Sequence, residues 1–163
     1  MRILFCFVIA LWSTGSLANQ CFQHYDEKDL VASVGVKPEK KTIEKEDGIT
    51  KLQYEFIKNA TREELQDEKI RDEYIPQFYI TIYNPSCPKK IKLWFFGLDS
   101  GLSHSKVDLA GNAWSYLTGS EQSIFKNKLV KFNEVQKFES HDENANSIFM
   151  KAGSMYVVDV YLK

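Results

Sequence analysis

From Ile49 to the C-terminus, apolar and polar residues alternate in short runs separated by turn residues. Leu52, Tyr54 and Phe56 alternate with Lys51, Gln53 and Glu55. Phe78, Ile80 and Ile82 alternate with Tyr79, Thr81 and Tyr83, and Ile91, Leu93 and Phe95 with Lys92, Trp94 and Phe96. A period of two is that of a strand with one buried face. Further strands are expected at 106–109, 113–117, 123–132, 135–139, 147–151 and Met155–Leu162, with a short one at 31–36. The separators are turn material: Asn84-Pro85-Ser86, residues 97–103, Ala110-Gly111-Asn112, Gly119-Ser120 and Ala152-Gly153. One segment departs from the pattern. Thr61-Arg62-Glu63-Glu64 carries the capping-box signature, which predicts a short surface helix running to about Glu73 and stopped by Pro76. Many short antiparallel strands with one helix predict an all-β sandwich over residues 48–163. Residues 19–47, polar and charge-rich, read as a segment tethered to that domain.

The N-terminus changes the picture of where the protein works. Arg2 precedes an unbroken apolar run from Ile3 to Trp12, and Ser16-Leu17-Ala18 ends it with small residues at the positions a signal peptidase requires. Ten apolar residues span about 15 Å of helix, half of a ~30 Å hydrocarbon core. The expectation is a signal peptide over 1–18, cut after Ala18, and a secreted or periplasmic product with no membrane insertion after cleavage. Cys6 leaves with the leader. Cys21 and Cys87 remain, and two cysteines in an exported chain suggest one disulfide. Two free thiols or an intermolecular link are the alternatives.

Composition narrows the classes of function. The 163 residues make about one domain, and 21 Lys plus Arg against 22 Asp plus Glu give a net charge of −1. That balance supplies no electrostatic footprint for nucleic acid and no polybasic membrane anchor. Asp99, Ser100, Ser103 and His104 crowd one loop, and Gly101-Leu102-Ser103-His104-Ser105 approaches the nucleophile-elbow motif. The motif needs Gly where Ser105 stands, so a polar connection is the favoured reading over a small hydrolase. His24, His104 and His141 lack metal-ligand spacing, and His141-Asp142-Glu143-Asn144 lacks the ligand alternation of a calcium loop. No cofactor is expected. Asn59-Ala60-Thr61 is a glycosylation sequon, relevant in a eukaryotic secretory route.

The strongest lead is a second, aromatic sheet face. Tyr79 and Tyr83 point opposite to Phe78, Ile80 and Ile82, and Trp94 and Phe96 opposite to Ile91, Leu93 and Phe95. If the two strands are neighbours, four aromatics share one face and form a partner-binding surface. The competing reading, favoured on sequence, is that the N-terminal segment folds over this face, held there by Cys21 and Cys87.

Tyr79-Ile80-Thr81-Ile82-Tyr83-Asn84-Pro85-Ser86 followed by Ile91-Lys92-Leu93-Trp94-Phe95 resembles the paired strands of the BsuPI-type proteinase-inhibitor family, an immunoglobulin-like sandwich. The resemblance continues through Ser100-Gly101, through Asp108-Leu109-Ala110-Gly111-Asn112-Ala113-Trp114 as a turn entering a Trp-containing strand, through Phe125, and through Gly153-Ser154-Met155-Tyr156. It covers residues 77–162. It implies an immunoglobulin-like β-sandwich and a non-catalytic protein-binding module, with inhibition of a peptidase or other hydrolase as its concrete form. Such an inhibitor would present a stiff loop, placing Asp99, Ser100 and Gly101 beside Tyr79, Tyr83, Trp94 and Phe96 as candidate partner-binding residues. A cell-envelope accessory or assembly module that pairs strand edges with a client protein is the alternative.

Overall fold

The computed structural model describes residues 21–22, 24–56, 78–97 and 104–163. The expected signal peptide, the helix over 61–73, the Asn59 sequon and the Asp99–Ser103 loop lie outside them. The described chain is mostly β. Its order is α1 (Glu27–Ser33), β1 (Lys40–Glu46), β2 (Ile49–Phe56), β3 (Phe78–Tyr83), β4 (Lys90–Phe96), α2 (His104–Thr118), α3 (Gln122–Val130), a 3₁₀ turn (Lys131–Asn133), β5 (Lys137–His141), β6 (Ala145–Ala152) and β7 (Met155–Leu162).

All seven strands belong to one antiparallel sheet of order β1-β2-β3-β4-β7-β6-β5. A sandwich needs a second sheet, and among the described residues there is none. Helices take its place. The register aligns Tyr54, Ile80, Leu93, Val158, Phe149 and Phe138 in one row across the inner face. Leu52, Ile82, Ile91 and Val160 form the next row. These side chains share one core with Leu30 and Val34 of α1, Ala110, Ala113, Trp114 and Leu117 of α2, and Phe125 and Leu129 of α3.

The strands expected at 106–109, 113–117 and 123–132 are therefore helices. Val107, Ala110, Ala113, Trp114 and Leu117 recur at three or four residues, and all are buried, so the 3.6-residue period decides their conformation. Gly111, expected in a turn, sits inside α2 because α3 crosses there. A Cβ at Gly111 would lie 2.9 Å from Gln122 Cγ and 3.3 Å from Phe125 Cδ1. The turn comes later, at Gly119, whose φ of +76° ends the helix and whose N–H donates to Ser115 O at 2.9 Å.

The 31–36 strand is also replaced by a helix. Asp26 caps α1 by accepting from the backbone N–H groups of Lys28 and Asp29 at 2.8 and 3.1 Å. Cys21 and Cys87 are joined, with Cα atoms 5.3 Å apart. The bond brings the N-terminal segment to the end of the β3–β4 turn, and α1 then packs against α2 on the inner face. The segment does not fold over the aromatic face. Residues 40–46 pair along their whole length with β2, and the Asp47-Gly48 turn between them has positive φ at both positions, as a two-residue hairpin requires.

Where α1 docks, three phenols gather. Tyr54 Oη donates to Glu27 Oε1 at 2.5 Å, Lys41 Nζ reaches the same oxygen at 3.0 Å, and Asp26 N donates to Tyr116 Oη at 2.9 Å. Tyr25 Oη is buried with no partner. Burial pushes the Tyr25 phenol well above its ordinary value of 10.0, and the Glu27 carboxylate adds to the effect. Burial raises Tyr54 and Tyr116 as well. A raised phenol pKa means that the folded state holds its proton more tightly than the unfolded chain does. This stabilisation is complete below the unfolded value and is lost as pH climbs above about 10. Absorbance titration of the phenolates should accordingly show a component that ionises late and together with unfolding, and that shrinks by one phenol in Tyr25→Phe. A single curve near pH 10 for all eight tyrosines would contradict the docking of α1.

Candidate functional site

The outer face of the sheet is built from the alternate positions of the same strands. Pairing places Tyr79 beside Trp94, and Trp94 beside Val157 and then Met150. The next row holds Gln53, Thr81, Lys92, Asp159 and Ile148, and the third Lys51, Tyr83, Lys90 and Tyr161. Tyr79, Tyr83, Trp94 and Phe96 thus share one face, as their alternation predicts. Among the described residues, no helix contributes to it. Phe96 keeps 44% and Tyr161 36% of its surface exposed, whereas the inner-face residues of β3 and β4 keep none.

The rings are held in a fixed arrangement. Tyr79 and Trp94 stack with centroids 3.8 Å apart and planes within 6°, and Phe96 meets Trp94 edge-on at 5.9 Å. Trp94 Nε1 donates to Thr81 Oγ1 at 3.2 Å, which fixes the indole along the sheet. Such contacts order large apolar groups in advance and lower the entropy lost when a partner binds. At the other end of the face, Lys90 Nζ lies 5.2 Å from the Tyr83 centroid and 5.7 Å from that of Tyr161. The same ammonium pairs with Asp159 Oδ2 at 2.8 Å. Desolvation pulls the Lys90 pKa down, but the hydrogen bond and charge of Asp159 outweigh it and hold the group above its ordinary value. The centre of the face therefore stays charged and fixed at neutral pH.

Sequence reasoning found the β3 and β4 members of this face and missed Met155, Val157, Asp159 and Tyr161. Their alternation with Tyr156, Val158 and Val160 is visible in the chain. What the chain does not reveal is that β7 lies beside β4. Asp99, Ser100 and Gly101 lie outside the described residues.

Other concave ground is less suited to chemistry. A groove of about 410 Å³ between α1 and the β1–β2 hairpin is lined by Val31, Val36, Pro38, Tyr54 and Glu27. Its one carboxylate is engaged by Tyr54 and Lys41. Among the described residues, no three His, Cys, Asp or Glu side chains converge to hold a metal ion, and no helix is long and apolar enough to cross a membrane. No family model, curated protein or solved structure matches the chain.

Proposed function

We propose that this chain is an exported, secreted or periplasmic, protein-binding module that works without catalysis and docks its partner on the outer sheet face. The observation that carries the reading is the ordered, half-exposed cluster of Tyr79, Trp94 and Phe96 on a face free of described helices. Aromatic anchors of this kind dominate binding energy at protein interfaces. Inhibition of a peptidase or other hydrolase is the concrete form of the proposal. The resemblance of the β3 and β4 sequences to BsuPI-type inhibitors is what suggests this form, and those two strands are neighbours. It draws no support from Asp108–Trp114, a stretch that is helical.

The face is a better docking surface than the β1 edge. Edge strand β1 carries Lys40, Lys41, Glu44, Lys45 and Glu46, charges that oppose pairing with another strand. The test is capture of proteins from the source's own exported fraction, with mass spectrometry of what is retained. Retention should fall at least tenfold in Trp94→Ala and in Phe96→Ser, and the pure protein should hydrolyse neither ester nor peptide substrates. Turnover abolished by Ser103→Ala or His104→Ala would overturn the reading, as would retention indifferent to Trp94 and Phe96.

A further inference from the structure

Asp159 stands in the middle of the outer face and is only 6% exposed. Lys92 on β4 and Ile148 on β6 are its cross-strand neighbours. One carboxylate oxygen, Oδ2, is satisfied by Lys90. The other, Oδ1, is buried and has no hydrogen-bond partner among the described residues. A buried acceptor without a donor is costly, and one that is kept calls for a reason, of which a role in binding is one. Lys92 lies directly opposite and half-exposed, and among the described residues it has no carboxylate partner. Lys90 and Asp159 neutralise each other, so the centre of the face carries one unbalanced positive charge beside one unused acceptor.

Resting on the reading of this face as a docking surface, we propose that it takes a polypeptide segment bearing an aspartate or glutamate framed by apolar side chains. The partner's carboxylate meets the Lys92 ammonium. The partner's entry displaces the side chains that bury Asp159 Oδ1, a neighbouring N–H of the partner then donates to it, and the flanking apolar groups cover Trp94 and Phe96. A basic segment is disfavoured, because a cation brought to Asp159 would face both Lys90 and Lys92. A small free anion gains little on a flat sheet face, whereas a polypeptide crossing several strands also buries the aromatic cluster.

The experiment is selection from a random peptide display library on the oxidised protein, followed by synthesis of the enriched peptides and fluorescence-polarisation binding. The expected peptides carry an acidic residue next to apolar ones. Lys92→Glu should weaken them at least tenfold, and exchanging the peptide's acidic residue for Lys should restore binding to that variant. Circular dichroism confirms that each variant is folded, and Phe96→Ser serves as the face-blocking variant should Trp94→Ala fail to fold. Peptides that need Trp94 or Phe96 but carry no acidic residue, or that bind Lys92→Glu unchanged, overturn this inference and leave the docking surface standing. A selection that yields no peptide, or only peptides indifferent to the aromatic variants, overturns both.

Discussion

Replacing Trp114 with Ala should destabilise the protein by about 3–5 kcal/mol, the range for emptying a large aromatic site in a core. Trp114 is fully buried in the middle of α2. Its ring lies 5.6 Å from that of Phe125 on α3 and 6.1 Å from that of Phe149 on β6, so one side chain joins both helices to the sheet. Its Nε1 donates to Ser147 Oγ at 3.0 Å, and Ser147 is itself buried. Truncation leaves both a cavity and a buried hydroxyl without its donor. Trp114→Phe keeps most of the ring packing and loses the hydrogen bond, so it should cost about 1–3 kcal/mol. Domains of this size are stable by only about 5–15 kcal/mol, so the alanine variant should lose a large share of the total. Denaturant unfolding checks both values. A loss below about 1 kcal/mol for the alanine variant would mean that α2 does not seat on the sheet as described.

Reduction of the Cys21–Cys87 bond, or Cys21→Ser, should remove about 4 kcal/mol. The bond closes a separation of 66 residues, and in the chain-entropy description a loop of that length restricts the unfolded chain by this amount. The melting temperature should fall on the order of 10 °C. Dye binding should rise, because loosening α1 uncovers Leu30 and Val34 at the inner face. Binding at the outer face should survive reduction, since the tethered segment lies on the opposite side of the sheet. Native protein with two free thiols by mass spectrometry would contradict the bond. Loss of outer-face binding on reduction would contradict the placement of α1.

Sequence reading recovers β2, β3 and β4 from their period of two, and it also recovers β6, β7 and part of β5 as short runs bounded by turn residues. Strand β1 escaped because an edge strand buries little and its charges conceal it, although Asp47-Gly48 marks the hairpin that forms it. The helices escaped for a different reason. In α2 the run Ala110-Gly111-Asn112 resembles turn material locally, and Gly111 is small because α3 approaches closely. Half of the outer face was legible from β3 and β4 alone. The β7 half depends on a pairing between distant parts of the chain, which no local pattern encodes.

That pairing gives the sheet a seam. Strands β1–β4 form one run of neighbours in chain order and β5–β7 another, and the β4–β7 ladder joins them. Helix α2 lies across the join, touching β3 and β4 on one side and β6 and β7 on the other. It acts as a splint. The two halves cannot shear apart without stripping α2 from one of them, so the seam opens only when the helical layer lifts as well. Trp94 of β4 and Val157 of β7 meet directly over the same ladder. A partner seated on the outer face would therefore brace from one side the joint that α2 braces from the other.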